Sequence, residues 1–280
     1  MRVLVAGGNG MAGHLLLQYL SEHTSYELFH TTRQRYEVGR SRGLYWDAGD
    51  WTAGAKLAEA LRPDAIVNCI GILNESAAQR ETEAYLINGL LPHRLAAWAE
   101  RTGGRLIHIS TDCVFLGDRG PYSESRIPDG ATVYARSKAL GEVGKPPHLT
   151  VRTSIVGPEI RAQGIGLLQW FMKQQGTVNG YINVLWNGVT TLELAKFVHH
   201  ALEQGEHLSG LVHLTAPETV SKYELLRRFQ SAFGITGVDI RPDGAIVLDR
   251  TLQCSRTDLN YRVPGYDVML KELKDWMTAH

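Results

Sequence analysis

Val3-Leu4-Val5-Ala6-Gly7-Gly8-Asn9-Gly10-Met11-Ala12-Gly13, followed at once by the helical run Leu15 to Leu20, is the stretch that decides the fold. It reads as GxGxxG from Gly8 or as GxxGxxG from Gly7. An apolar strand, a turn free of Cβ atoms and a helix in immediate succession let backbone N–H groups and the positive end of a helix dipole approach a pyrophosphate. Gly7, Asn9, Gly10, Met11, Ala12 and Gly13 are therefore candidate dinucleotide-binding residues.

Working outward, β-branched runs at Val3 to Ala6, Leu28 to Thr31, Leu44 to Asp47, Ala65 to Cys69, Leu106 to Ser110 and Leu149 to Thr153 alternate with helical stretches. The helices are expected at Met11 to Leu20, Thr52 to Leu61, Thr82 to Ala99 and Val133 to Val143, where apolar residues recur three and four apart. That alternation is the pattern of βαβ units and a parallel sheet. The expected fold class is α/β: a Rossmann-type doubly wound parallel sheet with a smaller C-terminal α/β substrate-binding lobe. The division expected is 1–156 for the cofactor domain, completed by about 189–216, and 157–280 mainly for the lobe. Leu211 to Leu214 reads as a strand returning to the first sheet, and Ser221 with Glu224 as a capping box.

Composition narrows the function. The 280 residues are 44% apolar, enough for a large core, and 29 Lys+Arg balance 29 Asp+Glu. Neutrality gives no reason to expect nucleic acid or an anionic membrane as partner. Cys69, Cys113 and Cys254 are too few and too scattered for a disulfide framework or a zinc cluster, so no metal is expected. With no signal-like start and no apolar run near the roughly 20 residues of a membrane span, the chain reads as soluble and cytoplasmic.

Dinucleotide sites selective for NAD place an acid at the end of the second strand, for the ribose 2′-hydroxyl. Here that place reads His30-Thr31-Thr32-Arg33, and Thr32 and Arg33 suit a 2′-phosphate, which favours NADPH over NADH. Asp47, ending the third strand, is either an adenine contact or a helix N-cap.

Ser110-Thr111-Asp112 follows the strand Leu106 to Ser110, at the sheet's carboxyl edge where a cofactor lies. Tyr134 and Lys138, four apart on a helix, share a face. An ammonium beside a phenol lowers its pKa toward working pH, where it exchanges a proton with a substrate oxygen. YxxxK by itself is equally a surface pair.

With these pieces in place, the sequence resembles the extended short-chain dehydrogenase/reductases, and within them the dTDP-4-dehydrorhamnose reductase family of sugar-nucleotide enzymes. The resemblance rests on GGNGMAG, VNCIG, INGLLPHRLA, ISTDCVF, YARSKALGE, VRTSIVG and NGVTTLELA, in the family's order along nearly the whole chain. It implies Thr111, Tyr134 and Lys138 as the catalytic triad, with Tyr134 as general acid and Lys138 also holding the nicotinamide ribose. It implies that Cys69, Ile70 and Gly71 line the middle of the cofactor. The substrate side would comprise Thr111, Asp112, Cys113 and Tyr134, together with Ser154, Trp186 and Arg250, the last against the diphosphate. Asn88 is either a site residue or an ordinary helix polar residue.

Two positions depart from the family: Cys113 stands where relatives carry tyrosine, and Ile155 where they carry tryptophan. Both bear on the sugar, so the ketosugar accepted is expected to differ, unless Trp170, Tyr181 or Trp186 fills the space. The loop Gly117 to Asp129 is a lid or a plain surface loop, and Trp46, Trp51 and Trp98 are expected in the core. His199 and His200, adjacent on a helix, do not make a metal pair.

The function these readings point to is NADPH-dependent reduction of a 4-keto-6-deoxy nucleotide-diphospho-ketosugar, for deoxysugar or polysaccharide precursors. The rivals are an epimerase or dehydratase of the same fold, and a non-catalytic NADP-binding regulatory subunit like the one attached to methionine adenosyltransferase. A homodimer is left open.

Overall fold

The computed structural model describes residues 1–34, 38–160, 164 and 166–280. In chain order the first half comprises β1 (Arg2–Ala6), α1 (Met11–His23), β2 (Glu27–Thr32), β3 (Arg42–Tyr45), α2 (Trp51–Leu61), β4 (Ala65–Asn68), α3 (Asn74–Gln79), α4 (Glu81–Ala84), α5 (Leu91–Arg101), β5 (Arg105–Thr111), α6 (Val133–Leu140) and β6 (Leu149–Thr153). The second half adds β7 (Ile155–Val156), α7 (Leu167–Met172), β8 (Gly176–Tyr181), β9 (Val184–Trp186), β10 (Val189–Thr190), α8 (Thr191–Gln204), β11 (Gly210–His213), β12 (Val220–Ser221), α9 (Lys222–Phe233), β13 (Val238–Asp243), β14 (Leu248–Asp249) and α10 (Tyr266–Ala279).

The main sheet has seven strands in the order β11-β6-β5-β4-β1-β2-β3, and every pairing in it is parallel. The order reverses between β1 and β4, which opens a crevice at their carboxyl ends. β11 joins the far edge beside β6, where a returning strand was expected. Helices bury leucine-rich stripes on both faces. Leu15, Leu16, Leu17 and Leu20 of α1 pack with Phe197 and Val198 of α8 on one side. Trp46, Ala58, Leu91, Leu95 and Trp98 pack on the other, so two of the three tryptophans expected in the core are there. Trp51 is only half-buried and lies under the Arg94 guanidinium.

Local chemistry sets the helix ends. Asp50 caps α2 by accepting from Ala53 N–H, and α9 starts on the expected capping box between Ser221 and Glu224. The long helix expected from Thr82 to Ala99 is instead α4, a π-helical turn at Tyr85–Leu90, and α5. The wider turn accommodates Asn88, whose side chain leaves the helix to bond the backbone of Ile72 and the Ser137 hydroxyl. The helix expected to reach Val143 stops at Leu140, ahead of Gly141. Arg105 at the start of β5 turns its buried guanidinium onto the carbonyls of Ala201, Gly205 and Leu208, tying the end of α8 to the sheet.

Beyond β6 lie the parallel pair β8–β13 and the small sheet β12-β9-β14, with α9 packed against both and α10 packed on α9. Among the described residues no helix is long and apolar enough to cross a membrane.

Candidate active site

A cavity of about 600 Å³ lies along the carboxyl ends of β1, β2, β4, β5 and β6. The glycine turn forms one end. Gly7 takes φ +85, a conformation that favours glycine, and a Cβ on Gly13 would lie 2.3 Å from the Gly7 carbonyl oxygen. A Cβ on Gly10 would meet nothing closer than 3.4 Å, so there the missing side chain keeps the cavity open. Gly10 also precedes α1 and offers no side-chain cap, which leaves the first N–H groups of that helix to a ligand. This open cradle, facing a cavity of that size, fits a dinucleotide pyrophosphate.

Most of the residues singled out from sequence meet here. Gly7, Asn9, Gly10, Met11, Ala12, Thr32, Arg33 and Asp47 line one end, Cys69, Ile70 and Gly71 the middle, and Thr111, Asp112, Cys113, Tyr134, Lys138 and Ser154 the other. Three do not line it. Gly13 is spent on packing α1 against the turn. Trp186 is buried with its ring stacked on Tyr266, and its indole N–H donates to the Ser154 hydroxyl at 2.8 Å, so it backs a lining residue. Arg250 stands behind Cys113, with Nη1 3.7 Å from Sγ and a buried Nε that has no hydrogen-bond partner. Asp47 is not the helix cap, which is Asp50; its carboxylate accepts from Gly49 N–H at the cavity's edge.

At the reacting end, the Thr111 hydroxyl donates to Asp112 at 3.0 Å and accepts from Cys113 N–H at 3.1 Å. Burial raises the Tyr134 pKa above the ordinary tyrosine value, against a smaller lowering by Thr111. Lys138 was expected to lower it. In this structure the Lys138 amine instead donates to the Ile109 carbonyl at 2.7 Å, and its own pKa is brought down to about 8, chiefly by burial. The protonated phenol is thus the resting form, which suits a proton donor.

Burial also raises Asp112, against Lys222, Thr111 and Arg250, and pushes the Cys113 thiol up to about 12, so that thiol is not a nucleophile. Lys222, at the start of α9, lies 4.7 Å from the centre of the Trp186 ring and is lowered to about 8 by burial, partly offset by Asp112 and Cys113. No motif pointed to Lys222, because it approaches from the start of α9, more than a hundred residues along the chain from Asp112. Asn68 and His108 were also missed, although Asn68 ends the buried apolar run of β4 and His108 interrupts the apolar run Leu106 to Ile109 of β5.

The loop Gly117 to Asp129 is stitched down rather than free. Tyr122 is buried against Phe115 with rings 4.1 Å apart, its hydroxyl accepts the N–H groups of Gly117, Asp118 and Arg119, and its backbone pairs with Thr251 and Gln253. Glu124 accepts from His213 N–H and from both the N–H and hydroxyl of Ser255. Beneath it, Glu142 holds Arg152 at 2.6 Å and accepts from Ser110 at 2.7 Å, which fixes the end of β5.

Residues 1–245 match the profile of the RmlD substrate binding domain. The chain belongs to that family. It is 36% identical over 143 residues to the dTDP-4-dehydrorhamnose reductase of Mycobacterium tuberculosis, an alignment covering 45% of this chain and 46% of that protein. The chain therefore spans about half the length of that relative. It is 27% identical over 278 residues to methionine adenosyltransferase 2 subunit beta of Danio rerio, covering 92% of this chain and 84% of that one. Among solved structures, the dTDP-4-dehydrorhamnose reductase from Bacillus anthracis in complex with NADP superposes with a TM-score of 0.79 at 21% identity, covering 97% of this chain and 98% of that one. That likeness carries the fold.

Proposed function

We propose that the protein is a reductase that uses NADPH to convert a 4-keto-6-deoxy sugar nucleotide to the corresponding hydroxy sugar. The observation that carries the reading is the convergence of Thr111, Tyr134 and Lys138 at the end of a cavity whose other end is an open glycine turn. When bound, NADPH supplies the hydride. The chain's own residues supply orientation and a proton. Tyr134, kept protonated by burial, gives its proton to the keto oxygen as charge develops there, and the Thr111 hydroxyl, turned from Asp112, donates to that oxygen. Lys138 holds the cofactor ribose. Thr32 and Arg33, in a stretch His30 to Gln34 that contains no acid, favour a 2′-phosphate.

At the sugar end Cys113, Ser154 and Ile155 line the wall, with Trp186 behind Ser154. A thiol and an aliphatic side chain occupy less space than the aromatics of relatives, which suits a ketosugar bearing a larger substituent. Arg250 and Lys222, behind that wall, supply positive charge to this end of the cavity, where the diphosphate would lie.

The experiment is NADPH oxidation by the purified protein with freshly prepared dTDP-, UDP- and GDP-linked 4-ketosugars. Turnover with one of them is expected. A folded protein that binds NADPH and turns over none contradicts the reading. The likeness to methionine adenosyltransferase 2 subunit beta along most of this chain favours a second reading, a regulatory NADP-binding subunit. Stoichiometric co-purification of a partner enzyme from native lysate, with no ketosugar turnover, would establish it instead.

A further inference from the structure

We propose that Asn68 and His108 form a buried positioning pair that fixes the proton of His108 on Nε2 and so favours the neutral amine of Lys138 over its ammonium. The inference rests on the preceding reading only in treating Lys138 as a catalytic residue.

Asn68 of β4 and His108 of β5 are direct partners in the sheet register, and both are fully buried. The Asn68 side-chain oxygen accepts the Ile70 N–H at 3.1 Å. Turning the amide over would set its NH₂ against that N–H, so the nitrogen must be the atom 3.1 Å from His108 Nδ1. Nδ1 then accepts a hydrogen bond and carries no proton. Burial, with Lys138 nearby, keeps His108 well below its ordinary pKa, so the ring is neutral and has a single proton to place. That proton sits on Nε2, which lies 3.4 Å from Lys138 Nζ.

An N–H aimed at Nζ meets a lone pair if Lys138 is an amine and another N–H if it is an ammonium. The amine satisfies both neighbours, donating to the Ile109 carbonyl at 2.7 Å and accepting from His108. Other groups face the pair as well. Glu142, just beyond α6, and Cys69, just beyond β4, favour the ammonium; Tyr134 stands one turn back on α6, and His93 of α5 acts on His108. Burial outweighs the first two and places Lys138 near pH 8. A lysine poised there changes protonation state within the working range, so it can exchange a proton with a hydroxyl beside it.

Two readouts on the full chain test this without any substrate. Imidazole nitrogen shifts of ¹⁵N-histidine-labelled protein should show His108 protonated on Nε2, and Nδ1 protonation would overturn the proposal. Trace acetylation across a pH series, with each lysine peptide quantified by mass spectrometry, should give Lys138 a midpoint near 8. In His108→Gln, whose side-chain oxygen can face an ammonium, that midpoint should rise by about one pH unit. In Asn68→Asp, a nearly isosteric change, the carboxylate should draw the His108 proton to Nδ1, a shift visible in the nitrogen spectrum even if His108→Gln does not fold. A Lys138 midpoint unmoved in His108→Gln, or a His108 tautomer unmoved in Asn68→Asp, would overturn it. A protein inactive on every ketosugar leaves both readouts intact, so failure of the reductase reading is told apart from failure of this one.

Discussion

The two ends of the cleft hold charge in different ways. At the β1 end the donors are backbone N–H groups of a glycine turn and the start of α1, fixed partial charges that do not titrate. At the β5 end, charged side chains, Asp112, Lys222 and Arg250, surround Cys113, and burial has moved two of them toward neutrality. On the proposed function, the contrast implies that the grip of the glycine turn on a pyrophosphate is nearly independent of pH, whereas the contacts made by Lys138 and Lys222 are not. The whole chain is neutral, so recognition of a ligand with several phosphates depends on where the cations are gathered rather than on their number.

The largest effect expected is at the reacting end. Tyr134→Phe should lower the rate of ketosugar reduction about 10²- to 10⁴-fold, the usual worth of a general acid, while NADPH binding measured by fluorescence titration stays at the wild-type value. Equal loss of both would erase the distinction between the two ends. Next comes the scaffold under β5: Arg152→Leu leaves the Glu142 carboxylate buried without its partner and should cost about 3–5 kcal/mol in urea unfolding. Little change there would mean that the end of β5 is held by other contacts.

At the cofactor end, Arg33→Ala should weaken NADPH binding about tenfold or more and leave NADH binding alone, since a hydrogen bond to a charged group is worth about 1.5–3 kcal/mol. Equal weakening of both cofactors would move the 2′-phosphate elsewhere. The smallest effect concerns Lys222. Its pKa, lowered to about 8, leaves it charged below that pH and neutral above it, so KM for the sugar nucleotide should rise as pH passes through about 8. A change worth about 1 kcal/mol or less is expected, typical of a partly solvated charge pair. Lys222→Arg, which stays charged, should remove that rise; if the rise persists, Lys138 rather than Lys222 is its source.

The same contrast explains what could be read from the chain. The glycine turn, the sequence Ser110-Thr111-Asp112 and the pair Tyr134 and Lys138 are local patterns, each on one strand end or one helix turn, and the parallel sheet brings them together at its carboxyl edge. Trp186, Arg250 and Lys222 lie in the second half of the chain, where position depends on contacts distant in sequence. Trp186 therefore sits one layer behind the wall where it was expected, and Lys222 was not anticipated. The loop Gly117 to Asp129 reads from sequence as either a lid or a plain surface loop, because its anchors, Thr251, Gln253 and Ser255, lie more than a hundred residues away. The lowering of Tyr134 expected from Lys138 is not found for a different reason: burial dominates at Tyr134, and the Lys138 amine is turned to the Ile109 carbonyl.

The most direct test of the account follows a deuteride. NADPH deuterated at the transferable position is mixed with the 4-ketosugar nucleotide and the full chain, and the product sugar is examined by mass spectrometry and proton NMR. The account predicts deuterium on the former keto carbon, with oxidised cofactor released in equal amount. Product that carries no deuterium, with the cofactor still bound and unchanged in redox state, would contradict it and point to an enzyme that recycles its nicotinamide.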